Sequence, residues 1–142
     1  MTTKQYLNQI KRFDKMIENK LDEIYRLREM SVSISTNMDK DRVQSSGSHD
    51  KLGESVAKIV DLERETNDIL SELADKKKTI INQIDGMENY DFYVILTYKF
   101  VQKLDFREIF LKMKISERKM YTVYRQALKE FERLYGKLYL DK

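Results

Sequence analysis

The residues with the clearest chemical potential lie close together near the end of the chain. Glu117, Arg118, Tyr121, Thr122 and Arg125 recur at spacings that leave them on one side of a helix, pointing away from Met120 and Val123. Such a face can hydrogen-bond: an arginine guanidinium can bridge two acceptors, and hydroxyl and carboxylate groups supplement it, the repertoire that reads base edges in duplex DNA. Other candidate chemistry is thin. His49 is the single histidine and has no neighbours with which to build a metal site or a general base, and the chain has no cysteine. Asp61, Glu63, Glu65 and Asp68 sit in a run already rich in solvated charge, and Lys76-Lys-Lys78 is expected to be a solvated face near a helix end. No glycine-rich phosphate loop or nucleophile elbow is present, so no enzyme, cofactor or metal is expected.

The elements that must position the Glu117–Arg125 face follow from capping residues. Asp105 is a good N-cap with Glu108 three residues on, which opens a short helix ending by Met113. Lys114 and Ile115 form a brief connection, and Ser116 caps a longer helix from Glu117 to about Leu138. Ile109, Met113, Ile115, Met120 and Val123 are spaced to meet across that turn. Short helix, turn and longer helix form the layout of a helix-turn-helix. A preceding helix is expected from about Glu88 to Lys103, with Phe92, Ile95, Leu96 and Phe100 on its apolar stripe. Tyr121 and Tyr124 are the aromatic residues expected to be exposed; the remaining aromatics concentrated after Gly86 are expected in a core.

The front of the chain is different. Tyr6, Ile10, Phe13, Ile17, Leu21, Ile24 and Leu27 predict one amphipathic helix from Thr3 to about Met30. Polar residues from Ser31 to Lys51, including Ser-Ser-Gly-Ser at 45 to 48, predict a loop. A second helix carries Leu52, Val56, Ile59, Leu62, Thr66, Ile69, Leu70, Leu73, Ile80 and Ile84, with Gly86 in the place of a left-handed C-cap. Neither stripe is wide enough for a core by itself. The two helices are expected to form an antiparallel, coiled-coil-like hairpin, or to pair with copies in a homo-oligomer. The expected division is a hairpin over 1–86 and a helix-turn-helix domain over 87–142, all-α throughout; the absence of proline agrees with that class.

Glu88 to Lys142 holds 12 Lys+Arg against 8 Asp+Glu, a balance of +4, which leaves −1 of the total +3 for the preceding residues. Positive charge therefore collects where the candidate readers lie. No apolar run is long enough for a membrane span or a signal peptide, so no membrane partner is expected and a cytoplasmic location is.

Ile115-Ser-Glu-Arg-Lys-Met-Tyr-Thr-Val-Tyr-Arg-Gln-Ala-Leu128 resembles the recognition-helix segment of bacterial sigma factor region 4, and Asp105-Phe-Arg-Glu-Ile109 resembles its supporting helix. Tyr6-Leu-Asn-Gln-Ile-Lys-Arg-Phe-Asp, Arg42-Val-Gln-Ser-Ser, Asp50-Lys-Leu and Ile59-Val-Asp-Leu-Glu63 are similar to stretches of short phage and prophage regulators of Gram-positive bacteria with sigma-like C-termini. The resemblance implies a transcriptional regulator that binds double-stranded DNA, with RNA polymerase as a further partner. It puts Glu117, Arg118, Tyr121 and Thr122 in the major groove and Ser116 and Lys119 near phosphates. Arg118 and Tyr121 depart from the sigma pattern, which usually has an acid and a base there. Two other readings fit the layout: a packaging or assembly protein such as a small terminase subunit, and a protein-interaction module that contacts polymerase without DNA.

Overall fold

The computed structural model describes residues 1–40 and 47–142, and side chains within 1–34 and 51–142. All regular structure among them is helical. Two long helices, α1 (Thr3–Lys40) and α2 (Gly47–Asp85), precede α3 (Tyr90–Leu96), α4 (Phe106–Met113) and α5 (Glu117–Tyr135). A π-helical turn, Thr97–Val101, continues α3, and a 3₁₀ turn, Gly136–Leu138, follows α5. No described helix is long and apolar enough to cross a membrane.

Contacts divide the chain into two compact units, 1–14 with 75–142, and 15–74. This partition differs from the compositional division at 86/87, because the first turns of α1 and the last turns of α2 belong to the same core as α3, α4 and α5. Leu7 and Ile10 from α1, and Ile80 and Ile84 from α2, are buried with Ile95, Leu96, Phe100, Ile109 and the inner face of α5.

That inner face explains α5. Met120, Val123, Tyr124, Ala127 and Phe131 recur every three or four residues and are all buried. Burying each large apolar side chain contributes about 1.5–3 kcal/mol before entropy is counted. Aromatic packing closes the core: Tyr139 stacks on Tyr6 with ring centroids 4.3 Å apart, and its hydroxyl shares a 2.8 Å hydrogen bond with Thr3 Oγ1. Tyr6 donates a hydrogen bond to Gln83 at 2.8 Å. Lys77 and Lys103 both form ion pairs with Asp14.

The unit formed by residues 15–74 is a two-helix layer. From 15 to 34 the positions that are not exposed are 17, 20, 24, 27, 31 and 34, and from 52 to 74 they are 52, 56, 59, 63, 66, 70 and 73. Alternating steps of three and four give a period of 3.5, the signature of a left-handed coiled-coil seam. Ile24, Ile59 and Leu73 are buried in it, while Lys20 and Glu63 occupy seam positions with their charges at the edge. Thr66 is also buried, its hydroxyl donating to the Leu62 carbonyl at 2.7 Å. Arg28 Nε donates to Glu63 at 2.8 Å. Partner numbers fall on α2 as they rise on α1, Tyr6 with Gln83, Asp14 with Lys77 and Arg28 with Glu63, so the helices are antiparallel within one chain.

Three expectations are corrected. The polar stretch 31–51 is not one loop: α1 continues through Lys40 and α2 begins at Gly47, while residues 41–46 lie outside the described residues. Serine, threonine and asparagine weaken a helix by only tenths of a kcal/mol each, and no proline intervenes to stop it. Gly86 is not left-handed; no described glycine has positive φ. The chain leaves α2 through short bonds, Gly86 N–H to the Asn82 carbonyl at 3.0 Å and Met87 N–H to the Ile84 carbonyl at 3.1 Å. Tyr124 is not exposed, because it lies on the buried stripe of α5, against Phe100 and Phe106, whereas Tyr90, expected in the core, is exposed at the start of α3.

Candidate nucleic-acid interface

Local chemistry fixes α4 and α5 in place. Asp105 caps α4, its carboxylate accepting from the Glu108 N–H at 2.8 Å. Ser116 caps α5, its hydroxyl oxygen accepting from the Lys119 N–H at 3.1 Å. Between them Lys114 adopts the left-handed conformation, φ 57 and ψ 40, and turns the chain while its N–H bonds to the Phe110 carbonyl. Lys103, before α4, is also left-handed, with φ 59. Asp105 and Ser116 were legible from residue type; the two lysine turns were not, because lysine carries no signal for positive φ.

Ile109 and Met120 are fully buried, and Met113 and Ile115 are half-buried against the same core. The apolar faces of α4 and α5 thus meet across the turn. On the opposite side Ser116, Glu117, Arg118, Lys119, Thr122 and Arg125 are exposed. Tyr121 belongs to this run but is half-buried, its ring 5.0 Å from that of Phe106. Its aromatic body is therefore partly committed to packing. Thr122 donates its hydroxyl hydrogen to the Arg118 carbonyl at 3.1 Å, which leaves the oxygen as an acceptor.

Arg118, Lys119 and Arg125 form no ion pair with any described residue. Arg133, farther along α5, is different: Glu130 holds it at 2.6 Å through Nη2. The two cations near the start of α5 and Arg125 about two turns on are consequently available to an external anion, while Glu117 complements the positive end of the helix dipole. The surface can accept and donate hydrogen bonds along two helical turns and neutralise phosphate charge.

Lysines outside the predicted face add to its surroundings. Lys99 lies over the Phe106 ring, its ammonium nitrogen 4.1 Å from the centroid, and Lys112 lies 5.7 Å from that of Tyr98. Aromatic residues recurring beside lysines after Gly86 are the only sequence trace of these contacts. No group of three or more acidic, histidine or cysteine side chains that could hold a metal occurs among the described residues; the side chain of His49 lies outside them.

No curated protein and no solved structure matches the chain. Residues 31–132 match a family model described as a protein of unknown function, DUF1492. The matched stretch runs from the last quarter of α1 through α2, α3, α4 and most of α5. Because the match takes in well over half of the chain, the protein belongs to the DUF1492 family.

Proposed function

We propose that this protein is a phage-type transcriptional regulator acting in the cytoplasm, and that α4, the Lys114 turn and α5 form a sigma region 4-like helix-turn-helix that binds duplex DNA. The observation that carries the reading is the two-sidedness of α5. One face is buried against α3 and α4, and the other exposes Arg118, Lys119, Thr122 and Arg125, the three cations forming no ion pair with any described residue. In such a motif the N-terminal half of the second helix enters the major groove. Arg118 and Thr122 then contact base edges, and Ser116, Lys119 and Arg125 contact phosphates. Glu117 limits which bases are accepted, since a carboxylate pairs with a cytosine amino group and repels acceptors. Tyr121 contributes through its hydroxyl edge, its ring being held by Phe106. RNA polymerase is the further partner of this reading.

Selection of bound duplexes from a random pool by the full chain tests the proposal. A consensus should emerge with the natural protein. Arg118→Ala should relax the preference at one position, and Lys119→Ala should weaken all sequences alike and reduce the salt slope by about one. Both side chains are exposed, so folding should be unchanged. Absence of any enriched sequence, or a consensus indifferent to Arg118→Ala, would overturn this reading of α5.

A further inference from the structure

One flank of α5 carries no charge of its own near the start of the helix. At about 100° per residue, Tyr121, Tyr124 and Leu128 lie on the side next to Arg125 and Arg118, and Lys119 lies on the opposite side. A helix with its side chains is about 10–12 Å across and the major groove is about 12 Å wide, so a helix seated there fills it. Groups along its two flanks then face the two sugar-phosphate walls. Lys119 stands at one wall, while α5 offers the other only rings and a leucine.

Two lysines from other elements reach that uncharged flank. Lys99, in the π-helical turn, holds its ammonium nitrogen 4.1 Å from the centroid of Phe106, whose ring lies 5.0 Å from that of Tyr121 and 5.1 Å from that of Tyr124. Lys4, in the first turn of α1, holds its own 5.8 Å from the centroid of Tyr124. One aromatic cluster thus ties both cations to the same side of α5. Neither forms an ion pair with any described residue.

We infer that Lys99 and Lys4 form a row of phosphate contacts along this flank, gripping the sugar-phosphate strand opposite the one that Lys119 meets. The inference rests on the reading of α5 as a DNA-binding helix and extends the contact to the π turn and to α1, outside the helix-turn-helix.

The surroundings agree with that role. An aromatic face steadies a lysine without consuming its three N–H donors, so the ammonium group stays free to bind phosphate oxygens. Lys99 lies in a turn where the Gln102 N–H bonds to the Thr97 carbonyl at 2.9 Å, a π geometry that occurs mostly at functional sites. Nearby carboxylates are otherwise engaged. Asp105, beside Phe106, accepts from the Glu108 N–H. Glu132, on the same flank about two turns beyond Tyr124, accepts from the Thr3 hydroxyl at 3.1 Å and marks where the row ends.

The test is the salt dependence of binding by the full chain, between about 50 and 200 mM salt, to two duplexes: the consensus selected by the natural protein and a scrambled duplex of equal composition. Lys99→Met and Lys4→Met keep an apolar stem on the ring and remove the charge. Each should flatten the slope of log affinity against log salt by about 0.9, and the pair together by about 1.8, weakening both duplexes by the same factor. Lys99→Arg and Lys4→Arg should restore the natural slope, Lys58→Met in the hairpin unit should leave it unchanged, and circular dichroism should show every variant folded. A natural slope in either lysine-to-methionine variant of the pair would overturn the row, as would weakening confined to the consensus duplex, arginine variants that fail to restore the slope, or an equal flattening by Lys58→Met. With the consensus still selected, each of those results leaves the α5 reading standing; a natural chain that binds neither duplex overturns both.

Discussion

The two units of this chain treat apolar side chains in opposite ways. Among the described residues, the unit built from 1–14 and 75–142 buries fifteen hydrophobic residues and leaves six large ones exposed; the hairpin unit, 15–74, buries three and leaves eight exposed. Both are helical and both have regular apolar spacing, so helix content does not account for the difference. Layer number does. In the first unit helices converge from several directions, and a stripe such as that of α5 is covered over its full width. In the second, only two helices face each other, and a 3.5-residue seam covers a strip one side chain wide. Apolar residues beside that strip stay on the surface unless something else covers them.

This comparison predicts unequal costs for equal damage. Phe131→Ala removes a fully buried ring that meets Tyr6, Tyr135 and Tyr139, and should cost about 3–5 kcal/mol. Ile59→Ala, at the hairpin seam, removes a side chain that is 5% exposed, and should cost nearer 2 kcal/mol because a two-helix layer can close over the gap. Urea unfolding followed by circular dichroism and tyrosine fluorescence checks both. Equal losses would mean that the seam is as tightly packed as the aromatic core, and the contrast drawn here would fail. Non-coincident transitions of the two probes would sharpen it by showing that the units unfold separately.

A smaller effect is expected at Asp14, whose carboxylate pairs with Lys77 and Lys103. Burial pushes its pKa up, but hydrogen bonds from Lys103 and Lys77 outweigh that and hold it below the usual carboxylate range. Asp14→Asn should destabilise the unit by about 1 kcal/mol at neutral pH. With the folded pKa depressed, the contribution is fully present above the unfolded value near 3.9 and is lost as pH falls through the folded one. Chemical denaturation at pH 7 and pH 3 should therefore show the two proteins converging in acid. A constant gap would assign the loss to packing rather than to charge.

How far these features were legible before the structure depended on whether a residue's type carries its own conformational signal. Asp105 and Ser116 have side chains that satisfy free N–H groups, so the starts of α4 and α5 could be placed to the residue. Of the α5 stripe, Met120 and Val123 follow from their spacing across the turn, whereas Tyr124, Ala127 and Phe131 complete it only in the structure. The burial of Tyr124 differs from expectation because tyrosine suits surface and interior alike, so its type carries no signal for either. The polarity of residues 31–40 predicts a loop, but polarity reports exposure and not backbone conformation; a long helix exposed on most sides has the same composition. Glu117, Arg118, Thr122 and Arg125 are exposed, as their spacing against Met120 and Val123 predicts, while Tyr121 is half withdrawn by a ring, Phe106, that lies fifteen residues away in the chain.

The smallest expected effect separates two lysines that share a backbone conformation. Lys103 and Lys114 both have positive φ, where a β-carbon crowds the backbone and glycine does not. Lys114→Gly should relieve that crowding and, after glycine's larger entropy loss, leave the protein more stable by roughly 0.5 kcal/mol. Lys103→Gly relieves the same crowding but also removes one of the two cations on Asp14, so its net change should be close to zero or slightly destabilising. Combining each with Asp14→Asn completes the test: the Lys103 effect should become stabilising once its partner is neutral, and the Lys114 effect should stay as it was. Thermal melts at neutral pH resolve the pattern. If Lys103→Gly instead behaves like Lys114→Gly with Asp14 intact, the ion pair adds nothing to the closed unit, and the stability of that unit rests on its aromatic core alone.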